Sequence, residues 1–224
     1  METKLYRISL FFIIFCSFFA YSDDIYTNYV QVFGEGPVGQ QILGFETKTY
    51  TKDEAVGIAK TEVLEFLSGM VFGYNFTYKV ENPLNKSQGY FDLKNIVIIK
   101  EDRNLTLTQL EESQISIRIQ ALYRLNENQK SYIRGFGSSI AKNSFGTSSD
   151  TWVASWDKRF EVYKDALRNA VLNGAKKNIK SRPLFIKGKI LLAESPKFRV
   201  LSGEWNATVK INLIITDIKY ADVY

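Results

Sequence analysis

Two segments of the chain alternate apolar and polar residues, as a strand does when it buries one face. The first covers residues 115–123 and the second residues 205–215, and in both every second position is apolar. A period of two is typical of antiparallel sheets with one face in water. Shorter strands are predicted at residues 29–34, 74–80, 91–99, 185–193 and 198–201.

Two other segments repeat apolar residues with the period of a helix. The first begins at Thr51, where Thr51 and Glu54 have the spacing of a capping box. The second begins near Trp152. Each helix is predicted to pack one apolar stripe against a sheet. The stripes consist of Ala55, Ile58, Ala59, Val63, Phe66, Leu67 and Met70 in the first helix, and of Trp156, Phe160, Tyr163, Leu167, Ala170 and Gly174 in the second.

The same order of elements occurs twice along the chain, which indicates an internal repeat. Each half begins with a segment ending in Phe-Gly, YVQVFG at residues 29–34 and YIRGFG at residues 132–137, so Gly34 and Gly137 are predicted to be equivalent strand ends. The predicted fold class is α+β, with two similar β-α-β-β-β halves, each an antiparallel sheet with one helix packed on a face. The halves are residues 23–126 and 127–224, joined at the polar residues 126–130. The alternative is a single sheet with two unrelated helices.

The first 22 residues have the layout of a secretory signal peptide. Lys4 and Arg7 precede an apolar run, and Ala20 and Ser22 give a small-x-small cleavage site before Asp23. Cys16 offers a lipoprotein alternative, but Phe15 stands where lipid attachment needs a small residue. We therefore expect an exported, periplasmic protein, with outer-membrane association as an open alternative and no transmembrane segment in the mature chain.

The composition excludes most catalytic chemistry. The chain has no histidine, which excludes Ser-His and Cys-His catalysis and imidazole metal sites. Its one cysteine, Cys16, lies in the predicted signal peptide. We therefore expect no enzymatic activity, no cofactor and no metal. The net charge of +5 is too small to indicate nucleic acid as a partner.

Two short motifs resemble catalytic or nucleotide-binding signatures without their context. Residues 34–39 match G-x-G-x-x-G, but the next helix begins only at Thr51, so its amino terminus cannot meet a phosphate at this loop. Ser139 and Lys142 match Ser-x-x-Lys, but the partner motifs of penicillin-binding enzymes are absent. We interpret the first motif as a turn and the second as a polar loop.

Paired carboxylates remain the only candidates for acid–base catalysis. The pairs are Glu101 with Asp102 and Glu111 with Glu112. Adjacent residues of a strand point to opposite faces, whereas glycoside hydrolysis needs two carboxyl groups that face each other. Surface charge is the preferred interpretation of both pairs.

Residues 29–80 resemble the amino-terminal domain of FlgT-type flagellar assembly proteins and related small outer-membrane lipoproteins. The resemblance is carried by the strand ending in Phe33-Gly34, the Ala55 and Ala59 spacing, and the sequence FLSG at residues 66–69 before a tyrosine-rich strand. Residues 131–180 resemble the module more loosely. The resemblance implies a periplasmic protein that joins an envelope structure and has no catalytic site.

The densest basic cluster follows the second helix and is the candidate binding surface. Either it complements the helix dipole and adds solubility, or it binds an anionic envelope polymer, a lipid headgroup or an acidic protein face. The cluster consists of Lys176, Lys177, Lys180, Arg182, Lys187 and Lys189.

Three functions are compatible with the sequence. The preferred one is a non-enzymatic assembly or scaffold protein, flagellum- or envelope-associated, that acts through protein contacts. The alternative is a module that binds an envelope glycan or small ligand by stacking on aromatic residues such as Tyr74, Tyr78, Trp152 or Trp205. The third is a carboxylate-dependent hydrolase.

Overall fold

The structure, a computed structural model, describes residues 28–43, 46–79, 89–113, 115–138, 140–150, 156–176 and 183–220. All strand pairs in this part of the chain are antiparallel, so the predicted α+β class is confirmed. The strands are β1 (Tyr29–Pro37), β2 (Gly39–Leu43), β3 (Glu46–Tyr50), β4 (Tyr74–Lys79), β5 (Tyr90–Asn95), β6 (Leu105–Glu112), β7 (Ser116–Arg124), β8 (Lys142–Ser149), β9 (Pro183–Leu192), β10 (Lys197–Leu201) and β11 (Glu204–Tyr220). The helices are α1 (Lys52–Val71), α2 (Glu127–Phe136) and α3 (Trp156–Lys176).

The strands form two main sheets and one hairpin. The smaller sheet has the order β1-β7-β6, and β2 pairs only with β3. The larger sheet has the order β10-β11-β9-β4-β5, and β8 pairs with β11 as well. Strands β4 and β5 come from the first half of the chain, and β4 pairs with β9 of the second half from Tyr74 opposite Ile190 to Lys79 opposite Phe185. The larger sheet therefore joins the two halves.

The same arrangement of strand and helix occurs in both halves. The first strand of each half pairs with the last strand of that half, β1 with β7 and β8 with β11. Helix α1 packs on β1 and β7, and α3 packs on β8 and β11. A strand and a long helix thus pack on the last strand of the half in both halves, but the halves do not have separate sheets, because β4 and β5 of the first half belong to the larger sheet.

Glycines allow each long helix to lie directly on one strand, α1 on β1 and α3 on β8. A Cβ atom on Gly36 would lie 1.9 Å from the carbonyl oxygen of Ala55 in α1, and one on Gly146 would lie 2.1 Å from that of Ala166 in α3. No side chain fits at such distances, so the backbone of the strand contacts the backbone of the helix directly. The counterpart of the β1 glycines in the second half is therefore Gly146.

The predicted strand at Tyr132–Gly137 is wrong, because this segment ends helix α2. Asn126 caps the helix in a capping box with Gln129, so the predicted polar join at residues 126–130 is a helix start. Gly137 is the C-cap of α2 and is not equivalent to Gly34. Residues 142–149, predicted as part of a polar loop, form the strand β8.

The predicted stripe of α1 is confirmed at Ala55, Ala59, Val63 and Leu67, each with 0% exposure. In α3, the side chains of Tyr163, Leu167 and Ala170 are likewise buried. Ile58 and Phe160 do not follow the prediction, since they are 37% and 42% exposed. The buried face of α3 continues through Arg159, four residues before Tyr163, and a pattern of apolar residues does not identify a buried arginine.

Parts of the predicted organisation lie outside the described residues. These are the signal peptide at residues 1–22, the start of the second helix near Trp152, and residues 177–182 of the basic cluster. Among the helices that the structure describes, none is both long and apolar enough to cross a membrane.

Candidate binding site at the junction of the two halves

A buried ion pair joins the two long helices. The side chain of Arg159, on α3, is only 7% exposed, and its Nε donates a hydrogen bond of 2.7 Å to Oε1 of Glu62 on α1. Nη1 of the same guanidinium lies 3.3 Å from Oε2 of Glu35 on β1. One side chain therefore holds α3, α1 and β1 together.

The same glutamate covers the free edge of β1. The amide of Glu35 donates to Oε2 of Glu62 at 2.7 Å, and the amide of Phe33 donates to Oγ of Ser195 at 3.5 Å. Since β1 pairs with β7 on its other edge, these amides are not available for a further strand.

The edge of β8 is covered in the corresponding way by its own helix. Nδ2 of Asn169 donates to the carbonyl of Thr147 at 2.8 Å, and Nδ2 of Asn173 donates to that of Phe145 at 3.1 Å. Polar side chains of α1 and α3 thus protect β1 and β8, respectively, against the addition of a further strand.

Aromatic rings surround the guanidinium of Arg159. Its carbon Cζ lies 3.9 Å from the ring centre of Phe198, 4.7 Å from that of Trp205 and 5.1 Å from that of Trp156. A desolvated cation gains most from aromatic faces, which compensates part of the cost of burying the charge. Burial raises the pKa of Glu62 above its ordinary value, while the charge of Arg159 opposes that shift.

A cleft of 570 Å³ opens between α1 and α3 on one side of this ion pair. Ile58 of α1 and Phe160 of α3 form its exposed apolar walls, and Trp156 lines it as well. Tyr50 contributes from β3, with Nζ of Lys48 4.6 Å from the centre of its ring. Carboxylates outnumber cations along the lining, with Glu35, Glu54, Glu62 and Glu65 against Lys48 and Arg159.

A second cleft, of 390 Å³, lies on the other side of Arg159. The segment between β9 and β10 forms one wall, and Phe33 of β1 and Arg118 of β7 form the other. Here the cations are in excess, with Arg118, Arg159, Lys197 and Arg199 against Glu35 and Glu194. The ion pair therefore separates an acidic cleft from a basic one.

The carboxylates of this junction are engaged in ion pairs. Glu35 and Glu62, the carboxylates nearest the centre, share the charge of Arg159. Among the residues that the structure describes, no three histidine, cysteine or acidic side chains lie together as metal ligands would.

Neither short motif lies at the start of a helix where the structure describes it. Gly34 and Gly36 lie inside β1, and Gly39, with φ of 70°, links β1 to β2, so no helix begins at this motif. Lys142 begins β8 instead of following a serine on a helix, and Ser139 lies outside the described residues.

The candidate carboxylate pairs lie on the surface where the structure describes them. Glu101 lies 3.8 Å from Nζ of Lys60, and Asp102 accepts from the amide of Asn104 at 2.8 Å. Glu112 forms an ion pair with Lys52, and the side chain of Glu111 lies outside the described part of the chain.

The aromatic residues proposed to stack on a ligand serve mainly as core. Tyr74 is 0% exposed and Trp205 is 6% exposed, while Tyr78 packs partly buried against the core. Trp152 lies outside the described residues. Two different aromatics, Trp156 and Phe160, line the acidic cleft.

The structure divides the predicted basic cluster. Lys176 ends α3, whereas Lys187 and Lys189 lie exposed on β9. Lys177, Lys180 and Arg182 belong to the segment that the structure does not describe. Sequence reasoning missed the junction itself, since Arg159, Glu62 and Glu35 are separated along the chain and match no motif.

Comparison with known proteins places the chain in a family without assigning an activity. The model of an uncharacterised protein family matches residues 38–220. The chain belongs to this family. The matched range includes α1, α3 and the larger sheet. No curated protein and no solved structure matches the chain.

Proposed function

We propose that the protein is a non-enzymatic assembly protein of the cell envelope, exported to the periplasm, that binds a protein partner in the acidic cleft between α1 and α3. The observation that carries this proposal is the pair of exposed apolar walls, Ile58 and Phe160, on two helices held together by Arg159 and Glu62. The resemblance of residues 29–80 to FlgT-type assembly proteins supports a flagellar or other envelope structure as the destination.

The chemistry of the cleft defines the partner that fits. Exposed apolar side chains that lie together on a protein surface are typical of interaction sites. Because glutamates outnumber cations in the lining, we expect the partner to carry basic residues next to the apolar side chain that enters the cleft. Because side chains cover the free edges of β1 and β8, the partner is expected to insert side chains into the cleft instead of adding a strand there.

The shared charge of the central glutamates speaks against the hydrolase alternative. A general acid needs a raised pKa and a general base needs a free carboxylate. Burial raises the pKa of Glu62, as a general acid requires. Glu35 is not a free carboxylate, because it lies 3.3 Å from Nη1 of Arg159 and 3.9 Å from Nε of Arg118, so this pair does not provide a free base.

Site-specific photo-crosslinking in living cells tests the proposal. A photoreactive residue in place of Phe160 is expected to give a discrete protein adduct, and Ile58→Glu in the same chain is expected to abolish it. A photoreactive residue in place of Ile140, which is 72% exposed and does not line the cleft, is the matched control. Equal adducts from both positions, or an adduct that survives Ile58→Glu, would contradict a specific site.

A small-ligand or glycan function for the same cleft is the second candidate. A volume of 570 Å³ is within the range of small-molecule pockets, about 300–1,000 Å³, and Trp156 and Phe160 offer rings for stacking. Binding of oligosaccharides to the purified protein, lost in Phe160→Ala and accompanied by no protein adduct in cells, would favour this function over assembly.

A further inference from the structure

A row of lysines forms on the outer face of the larger sheet, away from both long helices. Ile186 and Ile190 of β9 point into the core, so the alternate residues Lys187 and Lys189 point outward. The register places Lys94 of β5 and Lys79 of β4 on the same face. Lys219 of β11 joins them, opposite Phe185. We call these five residues the lysine face.

The spacing of these lysines follows from the geometry of the sheet. Lys187 and Lys189 are two residues apart on one strand, about 7 Å. Lys94 and Lys189 lie in one cross-strand row with Asn75 between them, about 10 Å apart. Lys79 and Lys219 flank Phe185 in the same way. Positive charges therefore recur at short, regular intervals over four neighbouring strands.

Little of this charge is neutralised within the described part of the chain. Asp92 lies 3.3 Å from Nζ of Lys94, and Asp217 lies opposite Lys187. Five lysines against two aspartates leave the face with a net charge of +3, compared with +5 for the whole chain. For Lys79, Lys187, Lys189 and Lys219, no carboxylate of the described residues lies within ion-pair distance.

We propose that the lysine face binds a linear, phosphate-bearing polymer. Lysine ammonium groups are compact point charges that suit phosphates without demanding one orientation. Each phosphate that a lysine neutralises releases condensed counterions, which favours binding. Several regularly spaced lysines therefore add their contributions to the affinity. This surface is separate from the acidic cleft, whose surplus of carboxylates repels a polyanion.

The face fits a polymer better than a bilayer. Stable attachment to a membrane surface combines basic residues with inserted apolar side chains. Phe185, the aromatic side chain at the centre of the face, is half-buried, and Nζ of Lys187 and of Lys219 lie 5.0 Å and 6.0 Å from its ring centre. These contacts hold the ring against the sheet.

Binding of long-chain inorganic polyphosphate to the purified chain tests the proposal. The association constant is expected to fall with salt, with a log–log slope of about −3.5 for five neutralised phosphates on a single-stranded polyanion. Lys187→Gln/Lys189→Gln is expected to weaken binding about tenfold at low salt and to reduce the magnitude of the slope by about 1.4. Lys100→Gln/Lys164→Gln removes the same charge from exposed positions elsewhere and is expected to bind as the wild type does.

Three results would overturn the proposal. The first is an equal loss of affinity in both double variants, which would attribute binding to net charge. The second is an affinity for polyphosphate that does not depend on salt. The third is saturable binding to vesicles of phosphatidylcholine and phosphatidylglycerol without binding to polyphosphate, which would make the face a membrane surface. Circular dichroism melts of each variant distinguish lost binding from lost folding.

Discussion

Nε of Arg159 donates to Oε1 of Glu62 across 2.7 Å, and this hydrogen bond joins helix α3 of the second half to helix α1 of the first. Both side chains are largely buried, with 7% and 12% exposure. Removing one partner of a buried pair leaves the other charge without compensation. The contact therefore holds the two walls of the acidic cleft at a defined separation.

Arg159→Met is expected to destabilise the protein by about 3–5 kcal/mol, because Glu62 is left buried without its cation. Arg159→Met/Glu62→Gln is expected to recover a large part of that loss, since position 62 no longer carries a charge and Glu35 still has Arg118 at 3.9 Å. Urea unfolding of the two variants measures the difference. Lys158→Ala removes an exposed pair with Glu161 on the same helix and is expected to leave stability unchanged. Equal stabilities for the single and double variants would show that the pair does not act as a unit.

Gly36→Ala and Gly146→Ala are each expected to destabilise the protein by at least about 1–3 kcal/mol, because the new methyl group meets a helix carbonyl. Gly57→Ala in α1 is the matched control. A Cβ at Gly57 has nothing within 4 Å, so alanine is expected to stabilise the helix by about 0.5–1 kcal/mol. Thermal melts compare the three variants. A neutral effect of Gly36→Ala would mean that α1 can move away from β1 at no cost.

The hydroxyl groups of Tyr74 and Tyr163 lie 2.8 Å apart in the core and predict a loss of stability in alkali. Burial raises the pKa of both side chains above the ordinary value. Above about pH 10 the tyrosines of the unfolded chain lose their protons first. Proton loss then favours unfolding, so the free energy of unfolding is expected to fall as pH rises beyond that value.

Urea unfolding at pH 9 and pH 11 measures this effect. Tyr74→Phe/Tyr163→Phe is expected to lose less stability between the two pH values than the wild type. Tyr90→Phe, a residue that is 49% exposed, controls for the loss of a surface hydroxyl. The same pH dependence in the wild type and the core double variant would rule out these two groups as its source.

Local patterns were sufficient to predict most elements of the fold. Apolar residues at every second position of residues 115–123 and 205–215 predicted β7 and β11, and the capping box of Thr51 and Glu54 predicted the start of α1. Alternation and capping depend only on residues that are close in the sequence, so these elements can be predicted without knowledge of the tertiary structure. The segment YIRGFG resembles YVQVFG in sequence, which predicts a strand. That prediction is wrong, because the capping box at Asn126 starts a helix that includes most of this segment.

The sequence by itself determined the α+β class and the two long helices, because periodicity reports which side of each element is buried. Only the tertiary structure decided that β4 pairs with β9, that Arg159 meets Glu62, and that lysines from four strands share one face. Each of these contacts joins residues far apart along the chain. Strand register and helix packing bring them together, and no local pattern encodes such a distance.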